Sequence, residues 1–187
     1  MKLTPIGIDG AWLAESPVWL DERGSFREWY QYIDLKETIG EEFQVQQANI
    51  STSARGVLRG IHYSLSKDGQ AKWITCVSGS IRDVIVDIRL ESSNFGKYVA
   101  VDLSAGDGKA VLIGKGLGHG FIALENDTAV AYLTSSPFSE KEEFEINPLD
   151  PVLGIEWGIP VQELLLSPKD VSAPSLSERA DEGKLPL

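Results

Sequence analysis

The chain has 187 residues, of which 24% are charged and 42% apolar, and its formal net charge is −11. That composition suits one soluble globular domain over residues 1–187, and no apolar run approaches the roughly 20 residues of a membrane-spanning helix. The acidic balance, with no clustered basic face, excludes general nucleic-acid binding but leaves room for a nucleotide held by a few well-placed cations.

The opening, Met1-Lys-Leu-Thr-Pro-Ile-Gly-Ile-Asp-Gly10, has neither the apolar core nor the cleavage pattern of a signal peptide. Cys76 is the only cysteine, so an intrachain disulfide is ruled out. Within the apolar run Trp73-Ile-Thr-Cys-Val77 it reads as a packing residue. These points favour a cytoplasmic protein.

Residues 1–20 read as irregular chain with short strands, and Asp21-Glu-Arg-Gly24 as a turn. Ser25-Phe-Arg-Glu-Trp-Tyr30 reads as a strand, and Ile33 to Ile39 as a helix stopped by Gly40. From Phe43 the texture becomes short β-type runs: Phe43–Ser51, Gly56–Tyr63, Ala71–Ser78, Ile81–Ile88, Tyr98–Leu103, Lys109–Ile113, Gly120–Leu124 and Ala129–Thr134. Turn signals separate them at Ser78-Gly79-Ser80, Asn94-Phe95-Gly96, Ala105–Gly108 and Glu125–Asp127. So many short strands without intervening helices predict an all-β sandwich or closed antiparallel barrel. Ile81-Arg-Asp-Val-Ile-Val-Asp-Ile88 is continuous enough to be buried on both faces. The region after Pro148 reads as a wrapping tail with short helical turns.

The most informative stretch is Gly56-Val-Leu-Arg-Gly-Ile-His-Tyr63, which holds one of the two histidines. On a strand, Val57, Leu58 and Ile61 would anchor it while Arg59 and His62 project into whatever it lines. A cation beside an imidazole suits an anionic substrate that gains or loses a proton. The competing reading is a core histidine beside a solvated arginine. A catalytic metal has little support: His62 and His119 belong to no ligand-spaced motif, and Cys76 reads as buried. Gly114-Lys-Gly-Leu-Gly-His-Gly120 lacks the spacing of a P-loop and reads as a tight loop between strands, although His119 could still point into a barrel mouth. Taken alone, Tyr132 reads as a half-buried strand aromatic and Lys72 as a solvated lysine. Nucleophilic catalysis lacks a serine elbow, whereas His62, Tyr132 and nearby carboxylates could support acid–base chemistry.

Several segments together resemble one family, the dTDP-4-dehydrorhamnose 3,5-epimerases and related dTDP-sugar epimerases. They are Val57-Leu-Arg-Gly-Ile-His-Tyr63, Gln70-Ala-Lys72, Asp83-Val-Ile-Val-Asp-Ile-Arg89, Asn94-Phe-Gly96, Gly118-His-Gly-Phe121 and Asp150-Pro-Val-Leu-Gly-Ile-Glu-Trp157. The resemblance runs from Asp21 to Asp170. It implies a cupin-like antiparallel jelly-roll with N-terminal strands and short C-terminal helices. It also implies a metal-free, cofactor-free homodimer whose N-terminal strands cross to the partner. The implied substrate is a dTDP-linked 4-keto-6-deoxyhexose. His62 would be the base, Asp170 its carboxylate partner, Lys72 the cation at the keto oxygen and Tyr132 the acid on the opposite face. Arg59, His119 and, from the partner subunit, Arg23 would meet the diphosphate. Gln47, Ala48, Asn49 and Glu28 would contact the thymidine and sugar region. Glu143 and Lys169 fall at further contact positions, and Phe26 would reach the thymine across the dimer.

The chain departs from the family in ways that bear on its substrate. Pro137-Phe138 stands where a second tyrosine is frequent, so Phe138 would stack on thymine without a hydroxyl. Ala48 replaces a common aspartate and Ile50 a common histidine, and Ser25 and Arg27 flank Phe26 where aromatics are usual. The expected activity is 3,5-epimerisation. Inversion at C3 or C5 alone is the nearest alternative, ahead of a keto-sugar isomerase or a non-catalytic sugar-binding module.

Overall fold

The computed structural model describes residues 1–40 and 42–187. Among the described residues, thirteen strands account for most of the regular structure. They are β1 Lys2–Pro5, β2 Ala11–Glu15, β3 Trp19–Asp21, β4 Gly24–Phe26, β5 Gln47–Ser53, β6 Leu58–Ser64 and β7 Lys72–Ser78, followed by β8 Ser80–Asp87, β9 Tyr98–Ser104, β10 Lys109–Ile113, β11 Leu117–Ala123, β12 Thr128–Thr134 and β13 Glu143–Glu145. The helices are short: α1 Tyr32–Ile39, a 3-10 turn Val161–Glu163, α2 Pro168–Val171 and α3 Leu176–Asp181. Among the described residues no helix is long and apolar enough to cross a membrane.

A six-stranded sheet runs β1-β2-β10-β7-β12-β5, and a five-stranded sheet runs β13-β6-β11-β8-β9. Within them, β5-β12-β7-β10 and β6-β11-β8-β9 form the two facing four-stranded sheets of a jelly-roll, with every ladder antiparallel. The all-β architecture expected from the sequence is what the chain adopts. Ile74, Cys76, Val111 and Val130 from one sheet pack on Ile81, Ile85, Leu103 and Phe121 from the other, which makes the core between them. A second cluster covers the outer face of the five-stranded sheet, where Leu58, Ile61 and Tyr63 meet Leu153, Trp157, Leu176 and Leu185 of the tail. In the third, Leu35 of α1, Phe43 and Trp29 cover Trp73 and Leu112 on the outer face of the six-stranded sheet.

Local differences from the sequence expectations have simple causes. The strand expected over Ser25–Tyr30 stops at Phe26, because β3 and β4 pair only with each other in a two-stranded hairpin. Phe43 is not in a strand; it packs under the six-stranded sheet, and Tyr30 Oη donates to its carbonyl at 2.6 Å. The glycine run expected as a loop is strand from Leu117 onward. A Cβ on Gly118 would sit 2.7 Å from Ile61 Cγ2, and one on Gly120 would sit 2.9 Å from the Arg59 carbonyl oxygen, so these glycines serve close strand packing. The helix expected over Ile33–Ile39 forms with one extra residue, and Gly40 caps it in the left-handed region at φ 74.

Candidate functional site

β6 has one irregularity that shapes the site. Against β11, His62 pairs with His119 but Arg59 pairs with Phe121, so β6 spends three residues where β11 spends two. This is a β-bulge at Gly60 and Ile61. In a regular strand Arg59 and His62 would point to opposite faces. The bulge resets the alternation, so Leu58, Ile61 and Tyr63 enter the outer core while Arg59 and His62 both line the space between the sheets.

That space is a cavity of about 560 Å³. The five-stranded sheet contributes Arg59, His62, His119 and Glu143, and the six-stranded sheet contributes Gln47, Asn49, Lys72 and Tyr132. Phe138, from the segment after β12, and Lys169 and Asp170 of α2 complete the expected set within it. Four expected residues are not in its wall. Ala48 alternates to the opposite face of β5 from Gln47 and Asn49, so only its backbone faces that way. Glu28 is exposed after β4, and Arg23 and Phe26 sit on the exposed β3–β4 hairpin, where the Arg23 side chain is 85% exposed and pairs with Asp21.

His62 Nε2–H donates to Asp170 Oδ1 at 2.7 Å. Asp170 is buried and held by its own short helix: Ser167 caps α2, accepting from the Asp170 backbone N–H at 3.1 Å and donating to Asp170 Oδ2 at 2.9 Å. Burial alone would raise this carboxyl, but the hydrogen bonds from His62 and Ser167 and the nearby Lys169 charge outweigh it and hold it below the usual carboxylate range. An ionised Asp170 keeps the His62 proton on Nε2, which leaves Nδ1 as the basic nitrogen.

Tyr132 lies on β12 opposite Asn49 of β5 and Ile74 of β7. Burial pushes its phenol up, the Arg59 charge opposes this, and Glu143 reinforces it. Lys72 is not the solvated lysine its local sequence suggests. Part of its surface remains open to the cavity, but protein surrounds its ammonium group, and burial pulls it below its usual value while Glu143 and Asp83 oppose that. Among the described residues Lys72 Nζ has no ion-pair partner within 4.0 Å, so its charge is available to a ligand.

Other side chains already have partners. Gln47 Oε1 accepts from the Phe138 backbone N–H at 2.8 Å and Gln47 Nε2 donates to Asn49 Oδ1 at 2.8 Å, so Gln47 pins the segment that carries Phe138 at the mouth. Lys169 Nζ is 2.8 Å from Glu145 Oε2, and Arg179 of α3 pairs with the same carboxylate at 3.1 Å. Arg59 donates to Ser53 Oγ at 3.2 Å. His119, one-tenth exposed, donates through Nε2–H to Asp83 Oδ2 at 2.7 Å. Among the described residues, no three His, Cys, Asp or Glu side chains gather as a metal site would need.

Sequence reasoning did not single out Gln70, Ser167 or Asp83. Gln70 lines the cavity and donates to Ser136 Oγ at 3.1 Å. Ser167 was legible as a helix cap in Ser167-Pro-Lys-Asp170. For Asp83 the available signal was a carboxylate in the middle of an apolar run, which needs a buried partner.

The model of the dTDP-4-dehydrorhamnose 3,5-epimerase family matches residues 5–178. A relative from Mycolicibacterium smegmatis described as dTDP-4-dehydrorhamnose 3,5-epimerase is 44% identical over 186 residues, covering 100% of this chain and 91% of the relative. The chain belongs to this family. Among solved structures of dTDP-sugar epimerases, NovW of Streptomyces spheroides, a 4-keto-6-deoxy sugar epimerase of a novobiocin gene cluster, superimposes with a TM-score of 0.96 at 40% identity. That match covers 100% of this chain and 93% of NovW. ChmJ, a 3'-monoepimerase from Streptomyces bikiniensis solved with dTDP-quinovose, gives 0.94 at 41% identity and covers 98% of this chain and 92% of its own. As a family member the chain is an isomerase of the epimerase class on a cupin-like scaffold.

Proposed function

We propose that this epimerase inverts C3 and C5 of dTDP-4-dehydro-6-deoxy-D-glucose. One observation carries the reading: His62 and Tyr132 line a single cavity from opposite sheets. Both carbons neighbour the ketone, so their protons are acidic enough to remove when the resulting enolate is stabilised. His62 Nδ1 takes the proton from carbon and becomes imidazolium beside the Asp170 carboxylate. The electron pair of that C–H bond moves onto the keto oxygen, where the Lys72 ammonium stabilises it. The Tyr132 phenol returns a proton to the other face, which inverts the centre; the phenolate then takes a proton from solvent and the His62 imidazolium gives one up to it, restoring both groups.

Arg59 and His119 would hold the diphosphate, and Phe138, exposed at the mouth, would stack on thymine. The β3–β4 hairpin supports a homodimer: it projects Trp19, Leu20 and Phe26 into solvent, and Arg23 and Phe26 would then reach a second copy's cavity. We place the enzyme in the cytoplasm, without a cofactor.

A second reading, inversion of one carbon only, is favoured by the similarity to ChmJ, a 3'-monoepimerase. Incubation with the keto sugar in deuterated water separates the two. Deuterium with inversion at both carbons supports the first reading, inversion at one supports the second, and absence of exchange sinks both.

A further inference from the structure

Asp83 is fully buried in the middle of β8, beside Val84, Ile85 and Val86. A carboxylate in such surroundings is costly unless its oxygens are partnered. Among the described residues only Oδ2 is, by His119 Nε2–H at 2.7 Å, and Oδ1 has no hydrogen-bond partner there. His119 stands opposite His62 in the β6–β11 ladder. Two imidazole–carboxylate pairs therefore occupy adjacent strands of one sheet, each joined through Nε2 at 2.7 Å. Their exposure differs: the His62 side chain is 39% exposed and that of His119 10%. The open pair suits proton traffic, whereas the enclosed one suits a fixed contact.

We propose that Asp83 is a positioning residue for ligand binding. Acting through His119, it anchors the imidazole at Nε2 and makes Nδ1 the atom that meets the diphosphate of the bound nucleotide. This rests on the functional reading above. A ring that donates at Nε2 to a carboxylate and at Nδ1 to a phosphate carries both hydrogens, and the Asp83 charge balances it. Arg59, paired with Phe121 two residues further along β11, supplies the neighbouring cation. Fixing a contact residue from behind removes the freedom it would otherwise lose on binding.

The test is titration with dTDP alone, together with steady-state turnover near neutral pH, on the wild type, Asp83→Asn, His119→Asn and the double variant. For Asp83→Asn the expected result is about tenfold weaker dTDP binding, a matching rise in KM and a kcat within about twofold of wild type. The double variant should bind no worse than His119→Asn alone, since the two act as one unit. Fully additive losses, or a fallen kcat with unchanged KM, would overturn the assignment. If the wild type does not bind dTDP, the functional reading itself fails. If it binds and Asp83→Asn binds equally well, only this inference fails. Should Asp83→Asn not fold, Asp83→Ser is judged by the same split between KM and kcat.

Discussion

His62 and Asp170 meet at 2.7 Å across 108 residues of chain, one on a bulged strand and the other on a single-turn helix. The aspartate fixes which imidazole nitrogen holds the proton and is itself fixed by the cap of that helix. Asp170→Asn should therefore lower kcat by about 10²- to 10⁴-fold while leaving dTDP affinity within a few-fold, as expected when a base loses its tautomer control. Steady-state rates and calorimetric titration check this. An unchanged kcat would show that the pairing is not used in catalysis.

His62→Ala should abolish solvent exchange at both carbons, and Tyr132→Phe should retain exchange better than inversion, because removal and return of the proton use different groups. Proton NMR in deuterated water reads both quantities in one experiment. Equal loss of exchange and inversion in Tyr132→Phe would count against a separate acid.

Lys72 carries a pH signature. Burial lowers its folded value from the ordinary 10.5, so its ammonium is lost, and with it stabilisation of the enolate, before pH reaches that value. Tyr132 is shifted the other way, so burial holds its phenol protonated to higher pH than an ordinary tyrosine. The alkaline limb of kcat should thus fall with a midpoint below 10.5. The sign for stability is opposite. A depressed lysine penalises the fold while it is charged, and the penalty fades as pH rises through its folded value. Lys72→Met should accordingly cut kcat by about 10²- to 10³-fold without lowering the thermal midpoint near neutral pH. A Lys72→Met protein that melts well below wild type would contradict this.

The bulge gives a fourth prediction. Gly60 has φ +117, and a Cβ there would lie 2.6 Å from both Gly120 Cα and the His119 carbonyl oxygen. Gly60→Ala should cost at least about 2 kcal/mol of stability and misaim Arg59 and His62 together. Urea unfolding combined with dTDP titration would register both effects. An alanine variant of native stability and affinity would mean that the strand accommodates the side chain.

Much of this arrangement was legible before any coordinates. The short β-type runs that became β5 to β10 and β12, and the turns at Gly79 and Gly106, follow local rules of period and punctuation. What escaped was set by distant partners. β13 is only Glu143–Glu145, too short to show a period, and it exists because β6 offers it an edge. Lys72 reads as solvated because nothing in its own sequence reveals the distant strands that enclose its ammonium group. Arg59 and His62 were expected to project together, but the bulge that lets them do so is marked in the sequence only by a glycine.

Because the cavity is walled by both sheets, its lining is spread along the chain from Gln47 to Asp170, and no single hairpin contains it. Turnover can return only after β5, β6, β7, β11, β12 and α2 have come together, so during refolding the appearance of product should lag behind the recovery of strand signal. The enzyme's own reaction would then serve as a clock for its assembly.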